Sequence, residues 1–199
     1  MPISWPYRTP GIPDREFERI PGIPLTPREV RVLFLSQLRL PPRGCLWDIG
    51  AGTGTIAVEA GLLCPDLQIV AIERDEDVVD LIRRNCGKFG VTNVEIVQGN
   101  APECLAEIST PPDRICLEGG KAIGQLLADC WGDLNRGGRL VAVASSLETL
   151  YAVSEGFAQV RARQIEVIQS AINRLETKGL SQKLVPLEPM FLLSGEKMD

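Results

Sequence analysis

The sequence predicts an α/β fold built on a doubly wound, mostly parallel sheet, and three observations predict it. First, the run Leu46-Trp47-Asp48-Ile49 leads straight into Gly50-Ala51-Gly52-Thr53-Gly54, and a helical pattern starts at Thr55. Strand, glycine loop and helix in that order open a nucleotide-binding βαβ unit. The glycines serve a backbone that must turn tightly and let a ligand come close, where a Cβ would intrude. Second, the apolar run 67–72 ends in Glu73, about 20 positions beyond the loop, where the second strand of such a unit presents an acid to ribose hydroxyls. Third, strand-like and helix-like patterns keep alternating to residue 150, and two further strand patterns close the chain.

The elements follow in order. Residues 1–25 hold six prolines and are expected to be extended. Trp5, Tyr7, Ile12, Phe17 and Ile20 give this segment apolar groups to bury, so it reads as an arm packed over the core near the ligand site. Thr26-Pro27-Arg28-Glu29 has the form of a helix start, with Thr26 as N-cap, Pro27 at the first helical position and Glu29 closing a capping box. Pro41 and Pro42 stop that helix. Asp75 opens a helix that ends at Gly87 or Gly90. Strands are expected at 94–97, 112–117 and 139–144, with helices from about 122 to 134 and from 147. Ser145 or Ser146 can cap the latter. Strands at 160–170 and 190–194 flank a long connection, 171–188, of the length that is often functional or interfacial. The whole chain, 1–199, reads as one domain: arm 1–25 and core 26–199.

Composition narrows the function. The chain is 44% hydrophobic and 24% charged, as in ordinary soluble proteins. Its net charge of −5 argues against a general nucleic-acid binder. No apolar run has the length of a membrane span and no signal peptide is evident, so a cytoplasmic protein is expected. The six cysteines, at 45, 64, 86, 104, 116 and 130, form no Cys-x-x-Cys pair, and with no histidine in the chain no Cys/His zinc site can form. No carboxylate cluster suits Mg²⁺ either, and no metal is expected. The absence of histidine also excludes Ser-His-Asp triads and any imidazole base.

The spacing of the glycine loop selects the ligand. A dinucleotide loop would place a third glycine where Thr55 stands. The Asp-x-Gly-x-Gly-x-Gly form resembles the loop of class I S-adenosylmethionine-dependent methyltransferases. That resemblance implies a Rossmann-like, seven-stranded sheet of order 3-2-1-4-5-7-6, with strand 7 antiparallel. It implies Asp48 and the loop (Gly50, Ala51, Gly52, Thr53, Gly54) around the methionine part and Glu73 on the ribose. Asn100 and Ala101 are implied beside the adenine, and the methyl acceptor near Glu118 and Lys121. There is no Asn/Asp-Pro-Pro-Tyr motif after strand 4 and no Pro-Cys nucleophile, which removes adenine-N6, glutamine and cytosine-C5 methyltransferases.

Five stretches occur in a family's order: Gly11-Ile12-Pro13-Asp14-Arg15-Glu16-Phe17, Leu25-Thr26-Pro27-Arg28-Glu29-Val30-Arg31, the glycine loop with Trp47-Asp48-Ile49 before it, Gly99-Asn100-Ala101-Pro102-Glu103 and Leu147-Glu148-Thr149-Leu150. On these the chain resembles the decarboxylating cobalt-precorrin-6B (C-15)-methyltransferases of cobalamin biosynthesis, over residues 11–194. The resemblance implies methylation of a polyanionic corrinoid, cobalt-precorrin-6B or precorrin-6B, at C-15 with loss of CO₂ from the ring C acetate. It also implies S-adenosylmethionine as donor and S-adenosylhomocysteine as product, Thr26 among the residues lining the cofactor, a separate C-5 methyltransferase as pathway partner, and a homo-oligomer, often a tetramer. The chain departs from the family in Leu117-Glu118-Gly119-Gly120-Lys121, where members are richer in glycine, and in Asn100 and Glu73, where Asp is frequent.

The chemistry suits a site without histidine. The nucleophile is an electron-rich ring carbon and the macrocycle is its own electron sink, so the protein contributes mainly positioning. Glu118, Lys121 and Glu148 are the candidates for orienting substrate. Because the substrate is anionic, several of Arg8, Arg15, Arg28, Arg31, Lys121, Arg174 and Lys178 are expected at the pocket mouth. Two other readings stand beside this one. An RNA or other small-molecule methyltransferase on the same fold would, if RNA-directed, show a continuous basic face. A non-catalytic scaffold would fail to bind the cofactor.

Overall fold

Parallel strands covered on both faces must be apolar at nearly every position, and β1 (Gly44–Ile49), β2 (Leu67–Glu73), β4 (Arg114–Glu118) and β5 (Arg139–Ala144) meet that demand. In the computed structural model, which describes residues 5–119 and 122–198, they join β3 (Val94–Gln98), β6 (Arg163–Ser170) and β9 (Met190–Glu196) in one sheet of order β3-β2-β1-β4-β5-β9-β6. The strands β1 to β5 pair in parallel, and β9 runs antiparallel between β5 and β6. This is the order expected from the sequence, since β9 is the seventh strand of the sheet in chain order.

Side chains alternate across a strand, and that parity divides the core into two. Leu46, Ile69, Ala71, Cys116, Val141 and Leu192 face α1 (Arg28–Leu38), α2 (Thr55–Leu63), α3 (Glu76–Phe89) and the arm. Trp47, Val70, Ile115, Leu117, Leu140 and Leu193 face α4 (Ile123–Asp133) and α5 (Leu147–Gln159). Asp48 and Glu118 share the parity of Leu46 and Cys116, which puts both carboxylates on the arm's side of the sheet.

The arm is packed at two of the five apolar residues expected to hold it, while Trp5 and Ile20 are half-buried and Tyr7 is exposed. Ile12 and Phe17 are buried, and the Phe17 ring lies 5.0 Å from that of Phe89. Buried polar groups hold it down. The Glu59 carboxylate accepts the Gly11 and Ile12 amides at 2.6 and 3.2 Å and Arg31 Nε at 2.9 Å. Arg31, fully buried, also donates to Asp14 at 2.7 Å, to the Thr26 carbonyl at 2.6 Å and to the Ile12 carbonyl. Asn85 bonds both backbone groups of Glu18 and the carbonyl of Thr53.

Three expectations are corrected here. Thr26 does not cap α1: Pro27 is the N-cap residue and makes no side-chain bond, and the Arg28 amide is met by Asp14 Oδ1 of the arm at 3.0 Å. A capping group from a distant segment replaces the local one because the arm is already pinned beside the helix end. The connection 171–188 is not irregular either. It contains a hairpin, β7 (Asn173–Lys178) and β8 (Ser181–Pro186), turning at Gly179 with φ +63°. Arg174 of β7 reaches back to Asp14 and to Glu29, and its hydrogen bond holds the Glu29 carboxyl down at about 2. Nor does Glu29 close a capping box, since its carboxylate bonds Arg28 and Arg174, whereas Asp75 and Ser146 do cap α3 and α5, and Gly90 ends α3 in the left-handed region.

Candidate active site

The strand order reverses between β1 and β4, and open α/β sheets bind ligands at the carboxyl ends of the strands beside such a reversal. Asp48, the loop Gly50 to Gly54, Glu73, Asn100 and Glu118 all come to that edge, at the tips of four adjacent strands. The loop is fixed from below: the Gly50 and Ala51 amides donate to the Ile72 carbonyl at 3.0 and 3.1 Å.

Gly50 adopts φ +77°, and a Cβ built on it would stand 2.3 Å from the Glu118 carbonyl oxygen. Gly50→Ala is therefore expected to cost roughly 2–3 kcal/mol of stability. Gly52→Ala, at φ +51° with no atom nearer than 3.8 Å, carries only the backbone penalty of about 1–2 kcal/mol. Denaturant titration of the two variants reads the difference, and equal losses would refute the close approach at Gly50.

Asp48 is 1% exposed, and neither carboxylate oxygen has a hydrogen-bond partner. The Cys116 thiol and the Ala57 amide lie close enough to favour its ionised form and so oppose the effect of burial, although neither has hydrogen-bond geometry. Burial pushes its carboxyl up to about 6. An unpartnered buried carboxylate is costly, and an incoming cation relieves it. Glu118, partly buried, accepts the Thr26 hydroxyl on both oxygens at 2.8 and 3.1 Å. Burial, and then the charge of Asp48, push its carboxyl up to about 7, and burial holds the Cys116 thiol well above its usual value. Glu73 accepts the Gly52, Arg74 and Asp75 amides at 3.1, 2.9 and 3.3 Å, which ties the tip of β2 to the glycine loop.

Other expected residues are placed differently. Thr53 is buried and donates to the Pro24 carbonyl at 3.0 Å, so its side chain anchors the arm to the loop. Asn100 donates to Glu103 at 2.7 Å at the exposed tip of β3, next to Ala101, which packs against the core. Glu148 is exposed in the first turn of α5. Lys121 lies outside the described residues. Arg31 is not at a pocket mouth: the buried Glu59 claims it. Arg174 and Arg28 are likewise engaged by neighbouring carboxylates. Glu59, Asn85 and Arg31, which position the arm over the loop, are buried structural polar residues that the sequence does not mark as such, beyond placing a polar residue inside an apolar run, as in Val58-Glu59-Ala60.

A doubly wound sheet of this order, with an acidic glycine loop on β1 and an acidic tip on β2, defines a class I S-adenosylmethionine-dependent methyltransferase. Within that class, the precorrin methyltransferase domain family matches residues 21–197, and the chain belongs to that family. It is 36% identical, over 98% of its length and all of the relative's, to a protein of Saccharolobus solfataricus named probable cobalt-precorrin-6B C(15)-methyltransferase (decarboxylating). A Salmonella typhimurium protein named cobalt-precorrin-6B C(15)-methyltransferase (decarboxylating) is 32% identical, over 92% of this chain and 95% of its own. The crystal structure of a precorrin-6y C5,15-methyltransferase from Geobacter metallireducens GS-15 superposes with a TM-score of 0.84. The two share 31% identity over 96% of this chain and 100% of that one.

The residues present fit the methyl donor. At Gly52 no atom stands nearer than 3.8 Å to where a Cβ would be, which leaves the loop open to a ligand, and the unpartnered Asp48 carboxylate is matched in charge to an ammonium group. Among the described residues, no helix is long and apolar enough to cross a membrane.

Proposed function

We propose that this chain methylates precorrin-6B, or its cobalt form, at C-15 and removes CO₂ from the ring C acetate, in cobalamin biosynthesis. One observation carries the reading of the site: a fully buried carboxylate, Asp48, stands without a partner directly below a glycine loop in a precorrin methyltransferase. S-adenosylmethionine supplies an activated methyl group, and the remaining work belongs to the chain's own residues. Asp48 would take the donor's ammonium, the glycine loop would let the methionine part approach the backbone, and Glu73 would bind the ribose hydroxyls. Asn100 and Ala101 would flank the adenine. The arm, tied to the loop through Thr53 and Asn85, would cover the site and exclude water.

In this reading the arm and the sheet act as one catalytic unit in the cytoplasm, with the C-5 methylation left to a separate enzyme. A homotetramer is in keeping with the exposed Ile165 and Val167 on β6 and Leu175 and Leu184 on the hairpin, four apolar side chains that a partner subunit could cover. An incubation with methyl-labelled S-adenosylmethionine and precorrin-6B, with and without cobalt, tests the function by mass spectrometry. Gain of one label with loss of CO₂ is the expected result. Cofactor binding with neither change would refute it.

A further inference from the structure

Loss of CO₂ from an acetate side chain requires one proton. The bond between the methylene carbon and the carboxylate breaks, and the electron pair stays on the methylene carbon, spread over the macrocycle. A new C–H bond must then turn that methylene into a methyl group. The chain contains no histidine to supply the proton. We propose that Glu118 is the catalytic acid of the decarboxylation: its carboxyl O–H delivers this proton and is left as a carboxylate, which water reprotonates. The inference rests on the function proposed above.

The position of Glu118 carries it. Asp48 pairs with Cys116 across β1 and β4, so Glu118, two residues on and on the same face, comes level with Gly50 at the reversal of strand order. Its backbone carbonyl lies against Gly50, and Thr26 holds its carboxyl group from the arm's side. The carboxyl is thereby fixed between the glycine loop and the tip of β4, where the reacting end of a ligand belongs in this fold. Asp48 lies deeper and is assigned to the donor's ammonium, whereas Glu118 is partly exposed, so of the two Glu118 is the one placed to meet the methyl acceptor.

Two carboxylates in different surroundings take two roles. One ammonium neutralises one carboxylate, and the unpartnered Asp48 is the one it satisfies. Glu118 keeps its hydroxyl partner Thr26, which can accept from a protonated carboxyl as readily as it donates to an ionised one. Burial is the larger cause of the raised Glu118 carboxyl and persists when Asp48 is paired, while Thr26 and the nearby charge of Arg31 oppose it. Among the described residues, the other carboxylic acids at this edge, Glu73 and Glu148, are less suited. Glu73 accepts three backbone amides and is assigned to the ribose hydroxyls, and Glu148 is exposed, with its carboxyl shifted downward by backbone hydrogen bonding.

The test compares wild type, Glu118→Gln and Glu118→Asp with S-adenosylmethionine and precorrin-6B, following methyl transfer and CO₂ release separately across pH. Glutamine keeps the size of the side chain and an acceptor for Thr26, and circular dichroism checks the fold. In Glu118→Gln, S-adenosylhomocysteine binding is expected to persist and CO₂ release to fall about a hundredfold or more, well beyond any fall in methyl transfer. A methylated product that retains its acetate carboxylate accumulates, and the near-neutral limb of the pH profile for CO₂ release disappears. Glu118→Asp restores part of the rate. CO₂ release at the wild-type rate in Glu118→Gln, or loss of both steps by the same factor, would overturn the proposal. A wild-type protein that performs neither step would instead overturn the function on which it rests.

Discussion

Asp48→Asn is expected to make the protein more stable and to weaken its hold on S-adenosylmethionine at least about tenfold. Burial raises the Asp48 carboxyl from 3.8 to about 6 in the folded protein, and at about 1.4 kcal/mol per unit this amounts to about 3 kcal/mol. The sign follows from the proton count. Between pH 3.8 and about 6 the folded protein keeps a proton that the unfolded chain releases, so stability falls as pH rises through that window. Below the window the group is protonated in both states and nothing is lost. Above it the whole penalty applies. Asparagine never ionises, so at pH 7 the variant should exceed wild type by up to about 3 kcal/mol, and near pH 4 the gain should be largely gone. Urea titration at the two pH values reads the stability, and calorimetric titration with S-adenosylhomocysteine reads the binding. A variant less stable than wild type at pH 7 with unchanged affinity would show that Asp48 is a structural group.

Arg31→Met is expected to have the opposite effect on stability, a loss of about 3–5 kcal/mol. Arg31 is fully buried, and its removal leaves Glu59, 1% exposed, as an uncompensated charge. It also removes the donors to Asp14 and to the carbonyls of Ile12 and Thr26. Such a loss is a large share of the roughly 5–15 kcal/mol of a typical domain. The double variant Arg31→Met with Glu59→Gln should recover part of it, because the stranded charge is gone. The arm should loosen before the sheet does, so trypsin should cut at Arg15 and Arg19 faster in the variant. Unchanged stability and cleavage would mean that the buried pair does not hold the arm.

Much of this fold is legible because local signals and burial agree. The glycine loop, the acidic tip of β2, the Asp75 and Gly90 ends of α3 and the apolar runs of β1, β2 and β5 each state in a few residues what the tertiary structure then uses. What was not legible depends on partners distant in sequence. Thr26 reads as a cap, and its hydroxyl instead meets Glu118, 92 residues away. The hairpin β7–β8 is exposed on most of its length and so lacks the apolar alternation that marks a strand with a buried face. Arg31 and Arg174 read as free charges for an anionic substrate, yet Glu59, Asp14 and Glu29 claim them, which no spacing within one segment reveals. For the same reason Asp48 and Glu118 could be named separately, but their shared face and opposite surroundings required the register of β1 against β4.

If the tips of β1, β2 and β4 hold the methyl donor, a crystal structure with S-adenosylhomocysteine will show it. The ammonium is expected within hydrogen-bond distance of Asp48, both ribose hydroxyls on Glu73 and the adenine beside Ala101. The sulfur is expected on the side of Glu118. A cofactor bound elsewhere, or bound here with Asp48 still lacking a partner, would contradict that placement.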